Sequence, residues 1–118
     1  MSFLALSNAS PSKRREARAQ ARIASELLKA LSHDGRLLIL CLLAEDEARV
    51  TEITSKLGMP QAAVSQQLTR LRLDGLVEAR REGRSICYSL ARPEVTALVA
   101  SLDDLFCKPG RRASRGRH

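Results

Sequence analysis

The sequence has no tryptophan, one tyrosine and two phenylalanines, so aromatics make up 3% of its 118 residues. That scarcity argues against a sandwich of aromatic strands and leaves Leu, Val, Ile and Ala to fill the interior, a palette that suits helices. Cysteine is also sparse. Cys41, Cys87 and Cys107 are too few and too widely spaced for the disulfide framework of a small secreted domain. The histidines are His33 and His118, and no cluster of Cys, His and carboxylate has ligand spacing, so neither a metal site nor a cofactor is expected. There is no Cys-x-x-Cys and no matched Cys/His pair, which argues against a thiol enzyme; the expectation is a non-enzyme. The apolar run near Phe3 and Leu6 is far too short for a signal peptide or a membrane span, so the expected setting is the cytoplasm, with no membrane partner.

What is present is enough for one domain with one core: 118 residues, 44% of them hydrophobic. The net charge of +7 points to a polyanion, and its placement says more than its sum. Residues 13–22 set Lys13, Arg14, Arg15, Arg18 and Arg22 against Glu16 alone, and residues 108–118 carry Lys108, Arg111, Arg112, Arg115 and Arg117 with no acid. The span between is slightly acidic. A charge run is as often a solvated face or tail as a binding site. The expected organisation is a disordered N-terminal tail over 1–12, one domain over 13–107, and a basic disordered tail over 108–118.

Helical spacing of Ala17, Ala21, Ala24, Leu28 and Leu31 predicts a first helix over about 13–31. Ser32 reads as the N-cap of a second, over about 33–44, with Asp34 at its positive end. The run Leu37-Leu38-Ile39-Leu40-Cys41-Leu42-Leu43 is apolar all round, the mark of a buried helix. A short helix over about 51–57 stops at Gly58. The next, about 60–73, takes Pro60 in its first turn and turns Val64, Leu68 and Leu71 to one face. After Leu76 the period changes from 3.6 to 2: Val77, Ala79 and Arg81, then a turn at Glu82-Gly83-Arg84, then Ile86, Tyr88 and Leu90. This predicts a two-stranded hairpin with an arginine-rich tip. A last helix over about 93–107 begins with Pro93 and carries Val95, Leu98, Val99, Leu102 and Phe106 on one face. The fold class is therefore mainly α with a small β-hairpin, in the order α-α-α-α-β-β-α.

Two short helices joined by a tight Gly-Met-Pro turn, followed by a basic hairpin, form the plan of a winged helix-turn-helix. A helix fits the major groove of double-stranded DNA, and its polar face can reach base edges. Gln61, Ala62, Ser65 and Gln66 are the candidates for bases, and Thr69, Arg70 and Arg72 for phosphates. Arg81 and Arg84 are placed for the flanking backbone or minor groove. On a lone helix such residues would read as a solvated face; the flanking short helix and hairpin tip the balance.

The run Leu31-Ser32-His33-Asp34-Gly35-Arg36-Leu37-Leu38-Ile39-Leu40 resembles the second-helix signature of ArsR/SmtB-family repressors. Val64-Ser65-Gln66-Gln67-Leu68 resembles the family's recognition helix, with Gln67 where the family often has His. Asp74-Gly75-Leu76-Val77, Arg80-Arg81-Glu82-Gly83-Arg84 and Tyr88-Ser89-Leu90 resemble its wing. The resemblance covers about residues 24–106. It implies a homodimer formed through the first and last helices, bound to an imperfect palindrome and released by an inducer. The family's cysteine motif for metals would fall near Thr51-Glu52-Ile53, where no cysteine stands, and the last helix offers Asp103 and Asp104 without histidine.

Cys41 and Cys107 match the pair of the family's dithiol subgroup, the SqrR/BigR type, which senses persulfides and reactive sulfur. There the reduced protein represses, and a polysulfide bridge between the two thiols weakens DNA binding. Each cysteine has a plainer reading too. Cys41 lies among Leu and Ile as a small buried hydrophobe would, whereas Cys107 falls off the apolar stripe of the last helix, where core packing explains it poorly. Cys87 alternates to the outer hairpin face, as a bystander. An oxidant forming a plain disulfide, or a metal, stands as the alternative inducer.

Overall fold

The computed structural model describes residue 3 and residues 5–107; the expected basic tail at 108–118 lies outside the described residues, as does part of the expected tail at 1–12. The chain divides into two compact units, with the division between His33 and Asp34. No described helix is long and apolar enough to cross a membrane.

In the first unit a single 3-10 turn, Leu6–Asn8, precedes helix α1, Pro11–Leu31. Ser10 caps α1: its hydroxyl accepts the Lys13 N–H at 3.3 Å, and Pro11 takes a first-turn position where no amide proton is needed. Ala17, Ala30 and Leu31 are buried, but Ala21 is exposed and Leu28 is 55% exposed, so the expected five-residue core stripe is only partly covered. Ser32 also departs from expectation. Its hydroxyl donates to the Lys29 carbonyl at 2.7 Å, closing α1 instead of opening the next helix.

The second unit runs α2 (Asp34–Glu45), β1 (Ala48–Arg49), α3 (Val50–Leu57), α4 (Gln61–Leu73), β2 (Val77–Glu82), β3 (Ser85–Leu90) and α5 (Pro93–Phe106). Its core is made by Ile39 and Leu40 of α2, Ile53 of α3, Val64, Leu68 and Leu71 of α4, Leu76, and Val95 of α5, all essentially sealed from water. Truncating one of these leucines to alanine costs about 2–5 kcal/mol by the usual cavity arithmetic. Helix α2 packs on α3, α4, α5 and β3, as its apolar run predicts. It is not buried all round, however: Leu37, Cys41 and Leu42 are half-buried and Leu38 is exposed. The stripe on α5 splits in the same way, with Val95 and Val99 buried, Leu98 and Leu102 half-buried, and Phe106 exposed.

The sheet has three antiparallel strands in the order β1-β3-β2, where the sequence predicts two. Strand β1 pairs Ala48 with Tyr88 and Arg49 with Cys87. Across β2 and β3 the register runs from Val77↔Leu90 to Glu82↔Ser85. The Gly83-Arg84 loop thus has two residues. Gly83 has φ +62° and Arg84 does not, the pattern of a II′ turn that wants glycine at its first position. The ladder puts Ala48, Val77, Ala79, Tyr88 and Leu90 on the core face and Arg49, Arg80, Cys87 and Ser89 on the other.

Candidate nucleic-acid interface and cysteine pair

Helix α3 begins with the Glu52 carboxylate accepting the Arg49 N–H at 2.9 Å, half of a capping box. It ends at Gly58, in the left-handed region with φ +66°, whose N–H returns to the Thr54 carbonyl at 2.9 Å. Pro60 stands one place ahead of its expected position: it is the extended N-cap of α4, and its carbonyl accepts the Val64 N–H at 3.0 Å. A proline suits that place because its fixed φ already matches a cap. Gly58 and Pro60 therefore set the angle at which α4 leaves α3.

Val64, Leu68 and Leu71 anchor α4, so its other face turns outward. Gln61, Ala62, Ser65, Gln66, Thr69, Arg70 and Arg72 are all exposed. The Thr69 hydroxyl donates to the Ser65 carbonyl at 3.0 Å, which leaves its oxygen able to accept only. Arg70 pairs with Asp74 one turn later at 3.3 Å, whereas Arg72 has no ion pair among the described residues. Gln67 is half-buried, and its amide oxygen accepts from Arg36 at 3.2 Å, tying α2 to α4. Its sequence position alone did not mark that bond.

The wing shows which arginines are spoken for. Arg80 forks onto both oxygens of Glu47, at 3.1 and 3.0 Å, and also donates to Glu82. Arg49 reaches Glu82 at 3.4 Å. Arg81 and Arg84 are exposed and have no ion pair among the described residues. The hydrogen bond from Arg80, and then its charge, hold Glu47 below the ordinary carboxylate value. Cys87 lies on the outer face as expected, but under these ion pairs it is only 5% exposed and so is buried, unlike a surface bystander. Burial, and then the charges of Glu47 and Glu82, push its thiol up. Glu47, Glu82 and Cys87 bring donor atoms within 4.8 Å of one another, a grouping the sequence did not reveal. Both carboxylates in it are already committed to arginine.

Cys41 is half-buried on α2, which packs on α5. Cys107 is exposed and caps α5, its N–H donating to the Asp103 carbonyl at 2.9 Å. Burial pushes the Cys41 thiol up, and the charges of Cys107, Asp103 and Glu45 add to the effect in that order. The fold thus brings the two cysteines within electrostatic reach of each other, while Cys87 stands apart under the wing.

A pair of helices joined by a tight glycine turn, with an outward polar face on the second and a strand-built wing carrying exposed arginines, is a winged helix-turn-helix. Residues 33–79 match the family described as "Bacterial regulatory protein, arsR family". The chain is 44% identical over 82 residues to the transcriptional activator HlyU of Vibrio cholerae, covering 70% of this chain and 76% of that one. The transcriptional repressor BigR of Xylella fastidiosa superposes with a TM-score of 0.75 at 39% identity, over 80% of this chain and 97% of BigR. A Mycobacterium bovis possible ArsR-family regulator, described as a homodimeric winged helix-turn-helix DNA-binding domain, superposes with a TM-score of 0.69 at 32% identity, over 96% of this chain and 98% of that one. The chain belongs to the ArsR family of transcriptional regulators, among the relatives of HlyU and BigR.

Proposed function

We propose that the protein is a homodimeric repressor, which occludes an imperfect DNA palindrome while Cys41 and Cys107 are reduced and lets go when sulfane sulfur bridges them. The observation that carries the DNA reading is the outward face of α4, held away from the core by Val64, Leu68 and Leu71, together with the exposed Arg72, Arg81 and Arg84, which have no ion pair among the described residues. Gln61, Ser65 and Gln66 offer donors and acceptors to base edges, and Ala62 fits a thymine methyl. Thr69, Arg70 and Arg72 meet phosphates, and Arg81 and Arg84 the flanking backbone or minor groove. Dimerisation runs through α1 and α5, a reading supported by the homodimeric neighbour and by the exposed Ile23 and Leu28 on one helix and Leu105 on the other.

The sulfur switch rests on the packing of α2 against α5 and the mutual reach of the two thiols. A donor of the type RSSSR balances the chemistry: the two cysteine thiols are oxidised to a trisulfide and two RSH leave. Coupling of about 1–3 kcal/mol would change DNA affinity roughly 5–150-fold, enough for release.

A mobility-shift titration on the operator region, with and without an organic trisulfide RSSSR as the sulfane-sulfur donor, tests both levels. The reduced wild type is expected to bind and the treated protein to release, with mass spectrometry finding added sulfur between Cys41 and Cys107. Cys41→Ser and Cys107→Ser should each bind DNA and fail to release. If both variants release normally, the sulfur switch is wrong and the DNA reading stands; if no form binds a duplex, both fall.

A further inference from the structure

Arg49, Arg70, Arg80 and Arg92 each face a carboxylate. Helix α1 is built the opposite way. Arg15, Arg18 and Arg22 follow one another at i, i+3 and i+7, so they form a row on one side of the helix, and all three are exposed. None has an ion pair among the described residues, and the acids of α1, Glu16 and Glu26, pair with none of them. The buried positions Ala17 and Leu31 lie on another side. The helix also begins badly by the ordinary rules. Its first turn holds Lys13 and Arg14 and no acid, although the dipole there favours negative charge. Ser10 already supplies the cap, and although the Arg14 guanidinium donates to the Ala9 carbonyl at 2.9 Å, the dipole itself gives no reason for cations at that end. Like charges one turn apart repel each other as well. Outside α1, Arg72, Arg81 and Arg84 are likewise without an ion pair among the described residues, and they are the arginines the DNA reading already uses. The α1 row stays open as they do, against two local rules. Such conflicts mark positions kept for a partner.

We infer that the Arg15–Arg18–Arg22 row of α1 is a second DNA-contact site, one that grips phosphates without reading sequence. The row spans two helical turns, about 10 Å, and duplex DNA carries one charge per roughly 1.7 Å of its axis. A stripe of that length meets about six phosphate charges, more than three guanidiniums can neutralise. The long, planar donors of arginine fork onto phosphate oxygens. The inference rests on the DNA-binding reading and adds to it, because the row lies outside both the recognition helix and the wing.

The test uses the full-length protein, a mixed-sequence 30-bp duplex as probe, and affinity measured by anisotropy between 50 and 200 mM KCl. Three contacts contribute about 2.7 to the slope of log affinity against log salt. The triple variant R15Q/R18Q/R22Q should therefore show a slope shallower by about 2.7, losing roughly 40-fold less affinity than wild type across that range. The triple lysine variant R15K/R18K/R22K should keep the wild-type slope. An unchanged slope in the glutamine variant overturns the inference and leaves the DNA reading intact; so does a slope lost equally in the lysine variant, which would mark a structural role. Absence of salt-dependent binding in wild type overturns the DNA reading itself. A parallel arm uses vesicles of phosphatidylserine and phosphatidylcholine: if the glutamine variant loses vesicle binding but keeps the DNA slope, the row serves a membrane surface and the inference fails.

Discussion

Cys41 sits half-buried where α2 meets α5, and its thiol is pushed above the ordinary 9.0 by burial, by Cys107, by Asp103 and by Glu45, in that order. The thiolate is the attacking form, so below the raised value the group is mostly protonated, and its reactivity should climb about tenfold per pH unit through the neutral and mildly alkaline range. Asp103 is one turn before Cys107 and contributes through charge alone. Asp103→Asn should therefore lower the Cys41 pKa and speed its alkylation at pH 7.5 by about two- to tenfold, an order-of-magnitude expectation from the charge effect. Timed iodoacetamide labelling with peptide mass spectrometry reads each cysteine separately. An unchanged Cys41 rate would mean that the charge of Asp103 does not govern this thiol. Cys87, sealed under the wing, should label slowest in the same digest.

At the scale of elements, the wing is fastened by pairs that sequence spacing does not announce. Glu47 precedes a two-residue strand, Arg80 sits 33 residues later, and the register of β1 and β2 on either side of β3 brings them together. A strand of two residues has no period to detect, which is why β1 and the roof over Cys87 were illegible, whereas the alternation from Val77 to Leu90 predicted the hairpin plainly. The α4 face was legible for a similar reason: three buried residues at helical spacing fix where all the others point. Glu47 has a lowered pKa, so its pairing is complete above the ordinary carboxylate value and is lost only as pH falls through the depressed one. In a two-dimensional NMR titration, the amides of Glu47, Ala48 and Arg80 should hold their shifts through pH 4.5 and move together below it. Movement centred at or above 4.5 would show that the Arg80 fork does not form in solution. The pairs are exposed, so their loss should loosen the wing with little change in global stability.

For the molecule as a whole, one class of expectation was bound to fail from a single chain. Apolar stripes on the first and last helices predict burial, and the pattern is the same whether the covering surface belongs to this chain or to a second copy. Ala17 and Val95 are buried within the protomer, while Leu28 and Leu105 on the same two helices stay exposed. The proposed dimer resolves the difference, because a polar substitution at an already exposed leucine should leave the protomer folded and remove only the association. Leu28→Lys is expected to keep its far-ultraviolet circular dichroism and to sediment as one chain where wild type sediments as two. A dimer reading a palindrome places its two recognition helices about one turn of duplex, or 34 Å, apart, and both half-sites contribute to affinity. The monomeric variant should then bind operator DNA no better than mixed-sequence DNA, even with α4 and the wing intact. A Leu28→Lys protein that still sediments as two chains would move the interface away from α1. One that sediments as one chain yet keeps operator preference would free recognition from the dimer altogether.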